Sequence, residues 1–267
     1  CYDDKTKYLD MLCCLIDLKT EFDKTNIKRG GSIVDKVWRN NPHSFTFSIF
    51  PKYIKQIEKY NNPIIKSLPI LNEYIIQQIL YNYISNFHNN LLNFVINFTD
   101  LKSIEEKKNI YIGIEQEKCG REFTYNGNSI RITHLLEYID FFVNQKKVNK
   151  DEIFKHILTT MFGITLGEIR LENFFNKMDE NITTFITNYL QNFERGSFFD
   201  CMRILYNRLG FLHLDFKLKN IFIRYNGPIR NDKSSNVTKE EEQKGQQDYT
   251  KYSCIIADLD KSRLQID

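Results

Sequence analysis

An Asp, a Lys two residues on and an Asn five residues on lie between apolar runs, as Asp215, Lys217 and Asn220, and a later apolar run ends at Asp258. Residue types in that order suit phosphoryl transfer, which asks a protein for positioning and charge compensation more than for covalent help. Asp215 can accept or orient the proton of an attacking hydroxyl, and Lys217 can balance charge on the moving group. Asn220 and Asp258 offer oxygens of the kind a hard cation such as Mg²⁺ takes, each at a strand end where a bound nucleotide's phosphates can share the metal. His213 fits a structural part, holding backbone near that turn. Taken singly, the same residues also serve as turn caps and strand ends, which Asp and Asn favour anyway. The order therefore needs support from upstream.

The run His213-Leu214-Asp215-Phe216-Lys217-Leu218-Lys219-Asn220 resembles the catalytic loop of the protein-kinase superfamily, H-R-D-L-K-x-x-N, with Leu214 in place of its Arg. Asp258-Leu259-Asp260 stands where D-F-G would be. The resemblance implies ATP as donor, Mg²⁺ as cofactor, Asp215 and Lys217 as catalytic residues, and Asn220 and Asp258 as metal ligands. Leu214 in place of Arg implies that activation-loop phosphorylation is not the switch. Asp260 in place of Gly resembles atypical, viral-type and small-molecule kinases more than the eukaryotic regulatory type. The fold implied is α+β and two-lobed, a protein-kinase-like fold with the nucleotide in the cleft between lobes. Residues 1–118 would form a small β-rich lobe with a leading helix and one long helix. Residues 119–267 would form a mostly helical large lobe carrying the catalytic loop.

The resemblance to kinases implies a glycine turn, a strand Lys and a helix Glu ahead of this loop. Residues 28–38 read as strand, glycine turn and strand, where Gly30 and Gly31 would let backbone N–H groups approach phosphates; a plain hairpin turn is the other reading. Residues 44–50 read as a further strand with Lys52 at its end. Lys52 is the candidate contact to the α- and β-phosphates, with Lys55 close enough to compete. Leu71, Ile75 and Ile79 recur at helical spacing, which places Glu73, the candidate partner of Lys52, on a helix. Residues 91–98 and 109–115 read as strands joined by a polar turn over 100–108. Residues 116–120 resemble the hinge between kinase lobes, with Ile114 as gatekeeper and the backbones of Glu115 and Glu117 meeting the adenine edge.

Residues 130–144, 152–161, 171–178, 182–193 and 197–209 carry apolar residues at helical spacing, the last delivering the chain into the Asp215 loop. Residues 226–252 are polar and charged, too poor in apolar surface to order themselves, and read as a flexible insertion. Only seven residues, Lys261 to Asp267, follow Asp260. The helices that complete a kinase large lobe are thus missing, as in a pared-down fold or a fragment, and the lack of an initiating Met favours the fragment.

A chain of 267 residues with 42% hydrophobic content can bury a sizeable core. The net charge of +3 and the absence of interleaved basic and aromatic residues argue against a nucleic-acid partner. Six cysteines without paired ligand spacing argue against zinc and suit a reducing compartment, intracellular in the cytoplasm or nucleus. The apolar run at 11–18 is too short, and too interrupted by Asp10 and Asp17, to span a bilayer. It reads as an amphipathic helix on the small lobe. Three function classes follow: a kinase of protein Ser/Thr hydroxyls, favoured because Lys217 matches the Ser/Thr-type loop; a small-molecule or sugar kinase; and a pseudokinase serving as a binding or scaffold module. Oligomeric state is not legible.

Overall fold

The computed structural model describes residues 6–24, 37–38, 44–47, 63–97, 99–106, 109–117, 119–125, 128–190, 196–226 and 247–265. Gly30, Gly31 and Lys52 lie outside them. In chain order the elements are α1 (Thr6–Asp23), β1 (Val37–Trp38), β2 (Ser44–Phe47), α2 (Pro63–Phe87), β3 (Thr99–Glu106), β4 (Asn109–Glu117), β5 (Arg121–Tyr125), β6 (Asn128–Ile132), α3 (Leu135–Asp140), α4 (Lys150–Phe162), α5 (Leu171–Glu180), α6 (Ile182–Phe185), α7 (Phe198–Leu209), β7 (Phe211–Leu212), β8 (Ile221–Tyr225), β9 (Tyr252–Ile256) and β10 (Arg263–Leu264). The class is α+β, and every strand pair with a defined register is antiparallel. The chain divides into two compact units, one of residues 1–30, 119–203 and 216–254, the other of 31–118, 204–215 and 255–267.

The first unit is built around aromatic side chains. Helix α4 starts at Asn149, whose side chain accepts from the Asp151 N–H at 2.8 Å, and ends at Gly163 with φ +64. There the Gly163 and Ile164 N–H groups bond to the carbonyls of Thr159 and Leu158, the double closure that only a left-handed residue permits. Between those ends Ile153, Phe154, Ile157, Leu158, Met161 and Phe162 are buried. Phe162 meets Phe199 of α7 at 4.6 Å between ring centroids, and Phe199 meets Phe216 at 5.5 Å.

Helix α1 belongs to this unit and not to the small lobe expected for it. Its buried stripe of Met11, Cys14, Leu15 and Leu18 has the spacing of one helix face. Phe22 packs against Phe154 and Phe175, both at 5.4 Å. The Lys150 ammonium closes the C-terminal end of α1 by donating to the carbonyls of Phe22 and Lys24.

Two further expectations are corrected in the first unit, over residues 130–144 and at the end of the insertion. Residues 130–144 are not one helix, since β6 runs to Ile132 and pairs with β5, and the Glu137 carboxylate then caps α3 by accepting from Thr133 N–H at 2.9 Å and His134 N–H at 3.3 Å. The hairpin of β5 and β6 has a signal of its own in the sequence, apolar residues alternating at Phe123, Tyr125, Ile130 and Ile132 on either side of the dipeptide Asn126-Gly127. The helical stretch expected over 182–193 is present through its described residues, as α6 followed by a π-helical turn over Ile186–Leu190, and residues 191–193 lie outside the described ones. The insertion does not stay irregular to its end: Gln247–Lys251 form a 3₁₀ helix, pinned where the Tyr138 hydroxyl donates to Tyr249 O at 2.7 Å and Asn226 N–H to Lys251 O, also at 2.7 Å.

The second unit holds a four-stranded sheet in the order β1-β2-β4-β3, with α2 packed on β3 and β4. Here the strand expected over 91–98 is replaced by a 3₁₀ helix over Asn89–Phe94, and β3 occupies the stretch expected to be a turn. The reason is periodicity. Leu91, Phe94 and Val95 are buried and spaced three and four apart, which suits a helical turn rather than a strand's alternation. A buried amide network ties the sheet to α2: Gln77 Nε2 donates to Gln116 Oε1 and to Glu73 Oε1, both at 3.1 Å, while Thr99 Oγ1 donates to Gln77 Oε1 at 2.5 Å. No helix among the described residues is long and apolar enough to cross a membrane.

Candidate functional site

Within the second unit, segments 210–215 and 257–265 are stitched together along their length. Gln265 N–H donates to Gly210 O at 3.0 Å. Leu264 and Arg263 of β10 pair with Phe211 and Leu212 of β7. The Ser262 hydroxyl donates to His213 O at 3.1 Å. The buried His213 ring donates from Nε2 to Ala257 O at 2.9 Å, a bond that keeps the proton on that nitrogen because a carbonyl only accepts. Lys261 Nζ reaches Asp215 Oδ2 at 2.5 Å. These ties bring Asp215 and Asp258 into one unit although they lie in distant parts of the sequence.

Close approach and unusual backbone go together here. Gly210 has φ +58, and a Cβ there would stand 2.2 Å from Gln265 O, so the ribbon closes only with glycine at that position. Leu214 and Asp258 are left-handed without being glycine, at φ +63 and +57. Such conformations cost on the order of 1–3 kcal/mol each and persist where the surroundings over-determine them. The surroundings of Asp258 do so. Asn72 Nδ2 on α2 donates to three carbonyls of the following turn, Leu259 at 3.4 Å, Asp260 at 3.1 Å and Ser262 at 3.0 Å. The turn closes on itself through Ser262 N–H to Leu259 O at 3.1 Å.

Glu73, one residue beyond Asn72, accepts from the Leu259 N–H and lies near Asp258 and Asp260. Burial pushes its carboxyl up to about 8, and the two neighbouring carboxylates push the same way. Glu73, Asp258 and Asp260 thus gather around one turn, which also carries the Lys261 ammonium. His213 is held below the usual imidazole range, chiefly by burial, so it stays neutral and serves as a donor. The Lys261 ammonium is held above its usual range, chiefly by its bond to Asp215.

Of the residues expected to form the site, Glu73, Asp215 and Asp258 lie in the second unit, as do Ile114, Glu115 and Glu117 on β4. Ile114 is buried, and the Glu117 carboxylate accepts from the Asn97 N–H at 2.5 Å. Lys217 and Asn220 belong to the first unit, where the Asn220 N–H bonds Lys217 O at 2.9 Å and Asn220 is buried at the end of a 3₁₀ turn over Leu218–Asn220. Among the described residues no group of three His, Cys, Asp or Glu is arranged to hold a metal by itself. The expected ligands Asn220 and Asp258 would not form such a group, since Mg²⁺ takes one or two protein oxygens and fills its shell with phosphate and water.

Sequence reasoning missed Asn72 and Lys261. Asn72 leaves no local trace, being 187 to 190 positions from the carbonyls it binds. Lys261 lies three residues past Asp258, outside every motif position. No protein-family model matches the chain, and neither a curated protein nor a solved structure matches it.

Proposed function

We propose that this chain is an ATP- and Mg²⁺-dependent phosphotransferase of protein-kinase-like, two-lobed architecture, acting on Ser or Thr hydroxyls of proteins. The observation that supports this most is the fastening of the Asp215 loop to the Asp258 turn, through His213 Nε2 and Ala257 O 44 positions apart. A proton acceptor and a cation-binding carboxylate have to keep a fixed relation if both are to serve one phosphoryl group. The carboxylates of Asp258 and Asp260, near Glu73 at this turn, are hard oxygens of the kind Mg²⁺ takes. Mg²⁺, when bound, would neutralise charge developing on the phosphates.

In this reading Asp215 takes the proton of the attacking hydroxyl and Asp258 holds the cation, with His213 and Asn72 keeping both loops in place. Lys217 and Asn220 enter through their sequence positions alone, Lys217 to balance charge on the transferred group and Asn220 as the second protein ligand.

The test is incubation of the purified chain with labelled ATP, Mg²⁺ and a protein mixture, beside Asp258→Asn and Asp215→Asn. Asp258→Asn is expected to weaken Mg²⁺-dependent nucleotide binding at least tenfold. Asp215→Asn is expected to leave binding within about threefold and to reduce transfer by 10²-fold or more, in line with loss of a positioned base. Label on small molecules alone would turn the reading to a small-molecule or sugar kinase. Nucleotide binding without transfer would turn it to a pseudokinase. Equal loss of nucleotide affinity in both variants would count against the assigned roles.

A further inference from the structure

We infer that Lys261 is the positioning residue of Asp215, holding its carboxylate in the orientation that receives the hydroxyl proton. This rests on the phosphotransferase reading and deepens it, because the motif assigns that part to no residue. The argument is geometric. An ion pair whose members are 50% and 22% exposed contributes little to stability by itself. What distinguishes this one is the placement of its lysine.

Lys261 sits between Asp260 and Ser262, whose carbonyls are both held by the Asn72 amide. The Ser262 hydroxyl in turn grips His213 O, two residues before Asp215. Backbone on both sides of the pair is therefore fixed before the side chains meet, which removes most of the orientational freedom a surface lysine would retain. The other charged groups acting on the ammonium are Asp258 and Asp260, and His213 also feels Asp215 and Asp260. Lys261 thus meets Asp215 while lying near two further carboxylates.

In the transfer step the hydroxyl oxygen forms a bond to the γ-phosphorus. The bond from that phosphorus to the bridging oxygen breaks, and its electron pair leaves on ADP. The hydroxyl proton passes to Asp215. Lys261 contributes no atom. It holds the carboxylate through Oδ2 in the orientation that meets the hydroxyl, and its positive charge favours the ionised form of Asp215 before the substrate arrives.

The experiment compares the parent chain with Lys261→Ala and Lys261→Arg in steady-state transfer from ATP, across pH 5 to 9, with melting curves alongside. Lys261→Ala should lower kcat by about 30-fold, within the range that positioned proton transfer contributes, while the KM for ATP stays within about threefold. The acid limb of its kcat profile should move up by about one pH unit, since a carboxylate without its cation protonates more readily. Lys261→Arg should restore kcat to within about fivefold of the parent. A Lys261→Ala enzyme with the parent's kcat and pH profile would overturn the role of Lys261 and leave the phosphotransferase reading standing. A loss of rate accompanied by a fall in melting temperature, with no movement of the acid limb and no rescue by Arg, would overturn it as well. A parent that neither binds nor turns over ATP would overturn both readings together.

Discussion

The two units are held together by different chemistry. In the first, the packing of α1, α4, α5 and α7 rests on interlocking rings, with Phe154, Phe162, Phe174, Phe175, Phe198 and Phe199 almost wholly removed from water. In the second, the segments carrying Asp215 and Asp258 are held by directed bonds: a histidine ring, a serine hydroxyl, an asparagine amide and a lysine, each meeting a named oxygen. Aromatic packing tolerates small shifts of its members, because it is the sum of many weak contacts. Hydrogen bonds set position within tenths of an ångström and cost free energy when a buried partner is left without one. The contrast assigns bulk stability to the first unit and precision to the second.

The comparison breaks most readily at Phe154. Truncation to Ala removes the ring that Phe22 packs on and should cost about 3–5 kcal/mol, read from chemical denaturation. A cost below 1 kcal/mol would mean that the ring cluster does not carry the first unit. In the second unit Asn72→Ala should cost about 1–3 kcal/mol, because one amide serves three carbonyls of the turn. Its larger consequence should be on nucleotide affinity, since the left-handed backbone at Asp258 loses its support. An Asn72→Ala chain with unchanged Mg²⁺·ATP affinity would separate the turn from the site.

The smallest effect expected is at Glu73, and it depends on pH. The carboxyl titrates near 4.5 when free and near 8 in the folded chain, so the folded state keeps a proton that the unfolded chain releases between those values. Stability from this group is therefore complete below about pH 4.5 and is lost as pH rises through 8. Glu73→Gln cannot titrate. Its melting temperature should stay level from pH 5 to 9 where the parent's declines, a difference of about 1 kcal/mol at the alkaline end for a half-buried side chain. Parallel curves for the two proteins would place Glu73 outside the acidic turn.

What could be read from the sequence was what is local. Helices α4, α5 and α7 show their spacing over three or more turns, and the order Asp215, Lys217, Asn220 is a short-range pattern. Where two periodicities compete the reading fails. Residues 91–98 are apolar enough for a strand, but Leu91, Phe94 and Val95 are set for a helical turn, and β3 is assembled from Thr99, Asp100 and Lys102, whose pairing with Gln116, Glu115 and Gly113 supplies what their side chains do not advertise. The parts of the site made by long-range contact were invisible for the same reason. Asn72 is an ordinary polar residue on a helix until residues 259–262 arrive beneath it, and Lys261 is an ordinary lysine until β7 and β10 set it opposite Asp215.

The left-handed backbone at Asp258 also limits what can stand there. Gly takes that conformation freely and Asn and Asp more readily than most other side chains, and of these three Asp alone carries negative charge. Chance mutation at this codon would thus strike twice in most cases, bending the chain and erasing the charge in one event. Only an exchange to Asn isolates the second from the first, which makes the amide, and not the customary methyl, the informative probe of this position.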